Sequence, residues 1–239
     1  LAHPIAEMSA LPQIPLPREL HGQRSVASMR TRFRDGKAAL LEHFRESRAT
    51  MLAASRLTKA LTRHVDGHLS ELWELAAMPA GATLVAVGGY GRAELFPYSD
   101  VDVLVLLPAG AALDSARGEG TPDAQAQHLR ATVEGFMHAC WDIGLEIGSS
   151  VRTVDECVEQ ARSDVTVQTA MLEARFLCGS RRVFNHFRQA NDAVMDPKAF
   201  LRAKVLEMRQ RHVKYENTPY SLEPNCKESP GGLRDLQLV

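Results

Sequence analysis

The segment Val85–Leu107, which reads VAVGGYGRAELFPYSDVDVLVLL, decides the fold of this chain. It begins with a short apolar run rich in β-branched residues, and a second apolar run starts at Val101. Short apolar runs bounded by glycine and proline are typical of buried strands. Between the two runs lie the glycine pair Gly88 and Gly89 and an Asp-x-Asp pattern. The segment therefore predicts two buried strands with glycine and acidic residues between them.

Apolar residues recur at helical spacing on both sides of this segment. They predict helix over residues 24–78 and again over residues 123–143. Residues 145–151 (LEIGSSV) are predicted as a third strand.

The rest of the chain has the signals of further helices. Residues 153–156 fit a capping box. Ser163 could cap a helix running to Leu177, with Gly179 as its C-terminal stop. An Asp-Pro pair at residues 196–197 predicts the start of a helix that runs to about Tyr215.

This order of elements predicts an α+β protein with a small mixed sheet between two helical regions. We divide the chain into a mobile, proline-containing leader (residues 1–22), an N-terminal helical region (23–80), a core (81–153) and a C-terminal helical region (154–239).

Asp100 and Asp102 flank Val101 at the start of the second strand. Side chains at positions i and i+2 of a strand point to the same face, with Cα atoms about 6.5–7 Å apart. Carboxylates at this spacing can hold divalent cations, and Mg²⁺ prefers such oxygen ligands together with substrate phosphates. Two unneutralised carboxylates would repel each other here, and a cation removes that repulsion.

An isolated Asp-x-Asp pattern is more often an exposed turn, but its surroundings favour a functional site. Gly88 and Gly89 end the preceding strand, and glycines there let backbone N–H groups approach a phosphate closely. Arg92 could reach the same oxygens. The segment is neither a GxGxxG loop, because Glu94 replaces the third glycine, nor a Walker A loop, because no GK[ST] follows.

A third carboxylate is expected on a neighbouring strand. It would complete a metal site and, if a hydroxyl group attacks the bound phosphate, accept the proton of that hydroxyl. Glu146, between Leu145 and Ile147, is the candidate, and Asp142 is the runner-up. The alternative for Glu146 is an ordinary outward-facing strand residue.

These residues carry a resemblance to a known family. The segment VAVGGYGRAELFPYSDVDVLVLL resembles the nucleotidyltransferase motif of the DNA-polymerase-β superfamily. Together with LEPNCKESPGGLRDLQ (residues 222–237), it resembles bacterial PII-protein uridylyltransferase/uridylyl-removing enzymes. WDIGLEIGSSVRTVDEC and SDVTVQTAMLEARFLCG are similar to that family too, so the resemblance covers residues 33–236.

The resemblance implies a polymerase-β-like nucleotidyltransferase core that transfers UMP from UTP to a tyrosine hydroxyl of the PII signalling protein, releasing pyrophosphate, with Mg²⁺ or Mn²⁺. By motif position, it implies that the nucleotide is held by Gly88, Gly89, Arg92 and Ser99. It also implies that the metals are bound, and the reaction catalysed, by Asp100, Asp102 and Glu146.

The chain also departs from the family. Full-length members continue with an HD-type phosphohydrolase domain and ACT domains, so we expect the uridylyl-removing and glutamine-sensing functions to be absent here. His64 and His68 lie four residues apart in a predicted helix, where a solvated face is favoured over a metal site. In the PGGLRD segment, Lys227 could contact a phosphate, or the segment could be a structural turn.

The amino-acid composition limits which classes of binding partner and which cellular compartment are expected. Lys and Arg number 28 against 29 Asp and Glu, so the charge gives no sign of a nucleic-acid partner. The four scattered cysteines fit a reducing cytoplasm better than a disulfide framework. No apolar run approaches the roughly 20 residues that span a bilayer, so no membrane partner is expected.

Two alternatives to the uridylyltransferase remain open. The first is a transferase that uses another nucleotide or acceptor, such as an adenylyltransferase, since the predicted metal and phosphate residues serve any nucleoside triphosphate. The second is an inactive regulatory module that keeps the nucleotide-binding fold.

Overall fold

The structure is a computed structural model that describes residues 25–111, 124–220, 222–223 and 225–237. The predicted leader, residues 1–22, lies outside the described residues. In the described ranges the elements are α1 (Val26–Glu46), α2 (Met51–Leu75), β1 (Thr83–Ala86), α3 (Gly88–Gly91), β2 (Val101–Leu107), α4 (Ala124–Asp142), β3 (Ile147–Thr153), α5 (Val154–Ser163), α6 (Val165–Leu172), β4 (Arg175–Gly179), α7 (Arg181–Val194), α8 (Pro197–Lys214) and α9 (Leu233–Leu236). None of these helices combines the length and apolar character needed to cross a membrane.

The four strands form one mixed sheet in the order β3-β2-β1-β4. β1 pairs antiparallel with both β2 and β4, and β2 pairs parallel with β3. The register sets Asp102 opposite Gly148 and Val101 opposite Ile147. The ends of β1, β2 and β3 that lie next to the predicted site residues therefore meet at the same end of the sheet.

Both faces of the sheet are covered by helices, because β1 and β2 are apolar on both sides. Val103 and Val105 of β2 face a core built with α1, α2 and α4. Leu104 and Leu106 face a second core built with α5, α6 and α7. The alternation along β2 puts Asp102 on the same face as Leu104, at the open end of the second core.

The structure confirms the α+β fold, both strands of the opening segment and the α8 helix after Asp196. Thr153 and Glu156 form the predicted capping box. The third strand starts two residues later than predicted. The helical region predicted over residues 24–78 consists of α1 and α2, which are separated at residues 47–50.

The predicted helix from Ser163 to Leu177 is wrong. Asp164, not Ser163, caps α6, because its carboxylate accepts hydrogen bonds from the backbone N–H groups of the first turn. The chain then leaves the helix and pairs with β1 as β4, up to Gly179. Pairing with a strand about ninety residues away decides this segment, and local helical spacing cannot reveal it.

The predicted solvated face of His64 and His68 is also wrong, because α1 covers it. The His64 ring stacks on Phe33 of α1 with centroids 5.3 Å apart, and its Nε2 lies 2.9 Å from the Phe33 carbonyl oxygen. His68 Nδ1 lies 2.8 Å from the His64 carbonyl oxygen. Burial lowers the pKa of His64. The pair belongs to the packing between the first two helices.

Replacing Gly179 by alanine is expected to destabilise the fold by at least about 2 kcal/mol. Gly179 has a φ of +93°, and an added Cβ would lie 2.4 Å from the Ala82 carbonyl oxygen. Gly135→Ala is the matched control, since nothing lies within 4 Å of its added Cβ in α4. It should stabilise by about 0.5–1 kcal/mol. Urea unfolding measures both, and equal stabilities for the two variants would contradict the β1–β4 contact.

Candidate active site

The Gly88-Gly89 turn begins where β1 ends. Val87 is extended, and its backbone N–H donates a hydrogen bond to the Asp102 carbonyl oxygen over 3.1 Å. Gly88 then has a φ of +57°, a conformation that favours glycine, and α3 follows as a single helical turn. The hydrogen bond fixes the glycine turn directly beside the start of β2.

The side chain of Tyr90 holds the glycine turn against α2. Its ring is buried, and its hydroxyl donates a 2.5 Å hydrogen bond to Asp66 of α2. Burial, followed by the Asp66 charge, raises the pKa of Tyr90 well above its usual range. Arg175 of β4 pairs with the same Asp66 carboxylate at 2.8 Å and donates to the Tyr90 carbonyl oxygen at 3.3 Å. Sequence reasoning missed all three residues, because their association joins distant segments.

Arg92, predicted to assist the triphosphate, lies beside the turn but is already paired. Its guanidinium contacts Glu173 at 2.5 Å and Glu94 at 3.5 Å. One of its terminal nitrogens lies 3.6 Å from the position that a Cβ on Gly89 would occupy. Arg92 can therefore reach a phosphate bound at the glycine turn only by sharing its contact with the two glutamates.

The Asp102 carboxylate lies between Gly88, in the turn after β1, and Gly148 of β3. A Cβ added to Gly88 would be 3.4 Å from one carboxylate oxygen, and a Cβ added to Gly148 would be 2.5 Å from the other. Partial burial, followed by the Asp100 charge, raises the pKa of Asp102, and Lys227 opposes that shift. The structure thus brings Gly88, Asp100 and Asp102 together as the sequence predicts.

Glu146 is exposed immediately before β3, and its carbonyl oxygen accepts a 2.9 Å hydrogen bond from Val101 N–H. It shares with Asp100 the rim of an open pocket of about 600 Å³. Ser99 is exposed and lines a smaller cavity, of about 120 Å³, that also reaches Glu146. The runner-up Asp142 instead lies 3.9 Å from Arg30 of α1.

The segment at residues 225–236 carries Lys227, whose charge acts on Asp102. Asp235 fastens the segment to α8, since its carboxylate pairs with Arg211 and with His212, the latter at 2.8 Å. The Gly231 N–H donates to the same carboxylate at 2.8 Å. Lys227 lies close enough to Asp102 to lower its pKa. The segment is therefore a structural turn fastened to a helix, and the predicted contact of Lys227 with a phosphate stays a prediction.

The donor chemistry of this site fits a divalent cation only in part. Asp100 and Asp102 offer hard oxygen ligands, and their mutual repulsion favours a bound cation. Among the residues that the structure describes, no group of three or more His, Cys, Asp and Glu side chains is arranged to hold a metal ion. Two carboxylates with the remaining ligands supplied by phosphate oxygens and water is a common arrangement for Mg²⁺.

Two family models match the chain. One, described as "Nucleotidyltransferase domain", matches residues 66–134, which include the glycine turn and both aspartates. The other, described as "GlnD PII-uridylyltransferase", matches residues 199–239, which include Lys227.

The chain is also similar to curated bacterial proteins that carry the name "Bifunctional uridylyltransferase/uridylyl-removing enzyme". It is 52% identical over 214 residues to one from Cupriavidus pinatubonensis, an alignment that covers 90% of this chain and 23% of that protein. Proteins from Burkholderia mallei and Burkholderia thailandensis are each 51% identical over 212 residues. The chain spans about a quarter of the length of these relatives.

Replacing Lys227 by methionine is expected to raise the pKa of Asp102, because the ammonium group that stabilises the carboxylate is lost. Lys198→Met, at the exposed start of α8, is the control and should leave that pKa unchanged. Carbon-detected NMR titration of the aspartate carboxyls, with no metal added, measures both. An Asp102 pKa that stays constant or falls in Lys227→Met would show that Lys227 does not face the carboxylates.

Proposed function

The chain belongs to the family of bifunctional uridylyltransferase/uridylyl-removing enzymes over the 90% of its length that aligns, and from this premise we propose that it is a uridylyltransferase. The reaction is the transfer of UMP from UTP to a tyrosine hydroxyl of the PII signalling protein, with release of pyrophosphate. Because the chain spans about a quarter of the length of its relatives, the proposed activity depends on the residues of its own site.

One observation carries the proposal: the glycine turn after β1 lies within contact distance of Asp102, the second residue of the Asp-x-Asp pair. The Gly88 position is 3.4 Å, measured from an added Cβ, from the Asp102 carboxylate. Backbone N–H groups of a glycine turn bind phosphate oxygens, and paired carboxylates bind the cations that accompany a triphosphate. A nucleoside triphosphate is the ligand that satisfies both groups at once.

The transfer is a single displacement at phosphorus. The tyrosine oxygen bonds to the α-phosphorus, while the bond from that phosphorus to the oxygen bridging the α- and β-phosphates breaks. Pyrophosphate leaves with that electron pair. The phenolic proton passes to a carboxylate, for which Glu146 is the proposed acceptor because it shares a pocket rim with Asp100. Catalysis consists chiefly of positioning and charge neutralisation.

Each group of the chain has a defined part in this proposal. Gly88 and Gly89 orient the triphosphate through backbone N–H groups, and Lys227 supplies a positive charge beside the carboxylates. Asp100 and Asp102 would hold Mg²⁺ or Mn²⁺. When bound, such an ion neutralises charge on the phosphates and on the departing pyrophosphate. Arg92 and Ser99 remain proposed contacts to the nucleotide.

The proposal predicts that radiolabel passes from α-labelled UTP to PII in the presence of Mn²⁺. Asp102→Asn should reduce labelling by about 10²-fold or more, since it removes charge where the transition state develops it. Asp142→Asn is the matched control, because that carboxylate faces Arg30, and it should label at the parent rate. Labelling by Asp102→Asn at the parent rate would refute the assignment of the site.

Nucleotide choice separates the proposal from its two alternatives. Isothermal titration with UTP and with ATP, each with Mg²⁺, should favour UTP. Tighter binding of ATP would favour an adenylyltransferase. No binding of either nucleotide would favour an inactive module.

A further inference from the structure

A pocket of about 600 Å³ lies on the β3 side of the carboxylates, and Trp141 forms one of its walls. Asp100 and residues 144–148, which include Glu146, line the rest of it. Trp141 is 51% exposed. Tryptophan is mostly buried in folded proteins, and exposed aromatic side chains are enriched where proteins contact their partners. This pocket is therefore a candidate binding site next to the reacting groups.

The order of the strands determines on which side of the proposed triphosphate site the pocket lies. The glycine turn follows β1, the two aspartates lie at β2, and the pocket lies beside β3, which is the edge strand of the sheet. In phosphoryl and nucleotidyl transfer the attacking and leaving oxygens are roughly in line through the phosphorus. With the β- and γ-phosphates on the glycine turn, the attacking oxygen must come from the opposite side, which is the β3 side.

We propose that this pocket receives the tyrosine side chain of the acceptor protein, and that Trp141 packs against its ring. The inference rests on the proposed transferase function and adds to it the place where the acceptor enters. It makes Trp141 a specificity residue for the acceptor and gives it no part in holding the nucleotide.

The chemistry of the pocket matches a phenolic ring. The pocket is open to solvent, so a tyrosine can enter it together with neighbouring residues of a loop. Offset or edge-to-face packing on the indole adds to the burial of the ring. Trp141 is itself held at the end of α4 by an edge-to-face contact with His138, with ring centroids 5.3 Å apart. The phenolic oxygen then points towards Glu146, the proposed acceptor of its proton.

The charge of the rim restricts the residues that flank the tyrosine. Within the described ranges Glu146 has no ion-pair partner, whereas the proposed cation would offset the charge of Asp100. Acidic residues next to the acceptor tyrosine would be repelled by Glu146 at close contact, and neutral or basic residues are accommodated. The acceptor that fits is a polypeptide loop presenting an exposed tyrosine with no acidic side chain directed at this rim.

The test measures acceptor binding separately from nucleotide binding. Purified PII is titrated into the protein with Mg²⁺ and a UTP analogue whose α–β bridge is an imido group, so that no transfer occurs. Trp141→Ala should weaken PII binding at least tenfold and change affinity for the analogue less than twofold. Trp141→Phe, which keeps an aromatic wall, should restore most of the affinity. Tyr220→Ala is the control, because Tyr220 is 91% exposed and does not line the pocket.

Three results would overturn the inference. PII could bind Trp141→Ala as tightly as the parent, or analogue affinity could fall with it, which would place the indole on the nucleotide side. PII could also fail to bind the parent protein. The proposed function is judged separately, by label transfer and its dependence on Asp102. If the parent protein transfers label and Trp141→Ala binds PII as tightly as the parent does, this inference is refuted and the proposed function is not.

Discussion

The site depends on one packing constraint: the Asp102 carboxylate occupies a space between two glycines, which have no side chain to fill it. Gly88 borders it on the β1 side and Gly148 on the β3 side, where a Cβ would lie 2.5 Å from a carboxylate oxygen. Any side chain at Gly148 would push Asp102 from its place. The two glycines let an acidic group, the turn after β1 and a third strand meet at one end of the sheet.

The rest of the fold keeps that edge in place. β1 is an inner strand hydrogen-bonded on both sides, and the Asp66–Arg175 pair holds Tyr90, and with it the glycine turn, against α2 and β4. On the outer side, Asp235 fastens the segment that carries Lys227 to α8. Burial does not favour the ionised form of Asp235, but the Gly231 hydrogen bond and the contacts with Arg211 and His212 lower its pKa. A charged group therefore remains at that fastening point at neutral pH.

The parts predicted from sequence are the local ones. The two strands, the glycine turn and the Asp pair lie within 23 consecutive residues, and their periodicity and spacing are sufficient to identify them. The strand β4 was missed because RFLCG continues a helical pattern and becomes a strand only by pairing with β1. Arg92 and Glu173 are separated by 81 positions in the sequence, and Asp66 and Arg175 by 109 positions. No local pattern signals contacts between residues so far apart in the chain. The position of Glu146 relative to Asp100 follows from the parallel register of β2 and β3, another non-local fact.

The central claim is that the glycine turn and the aspartate pair form one binding site for a metal-bound triphosphate. A crystal structure with Mn²⁺ and a non-reactive UTP analogue tests it most directly, because anomalous scattering locates the manganese without reference to any model of the site. We expect a manganese peak between Asp100 and Asp102, with the triphosphate oxygens on the backbone N–H groups of Gly88 and Gly89. Manganese bound elsewhere, or a triphosphate lying away from the glycine turn, would contradict the account.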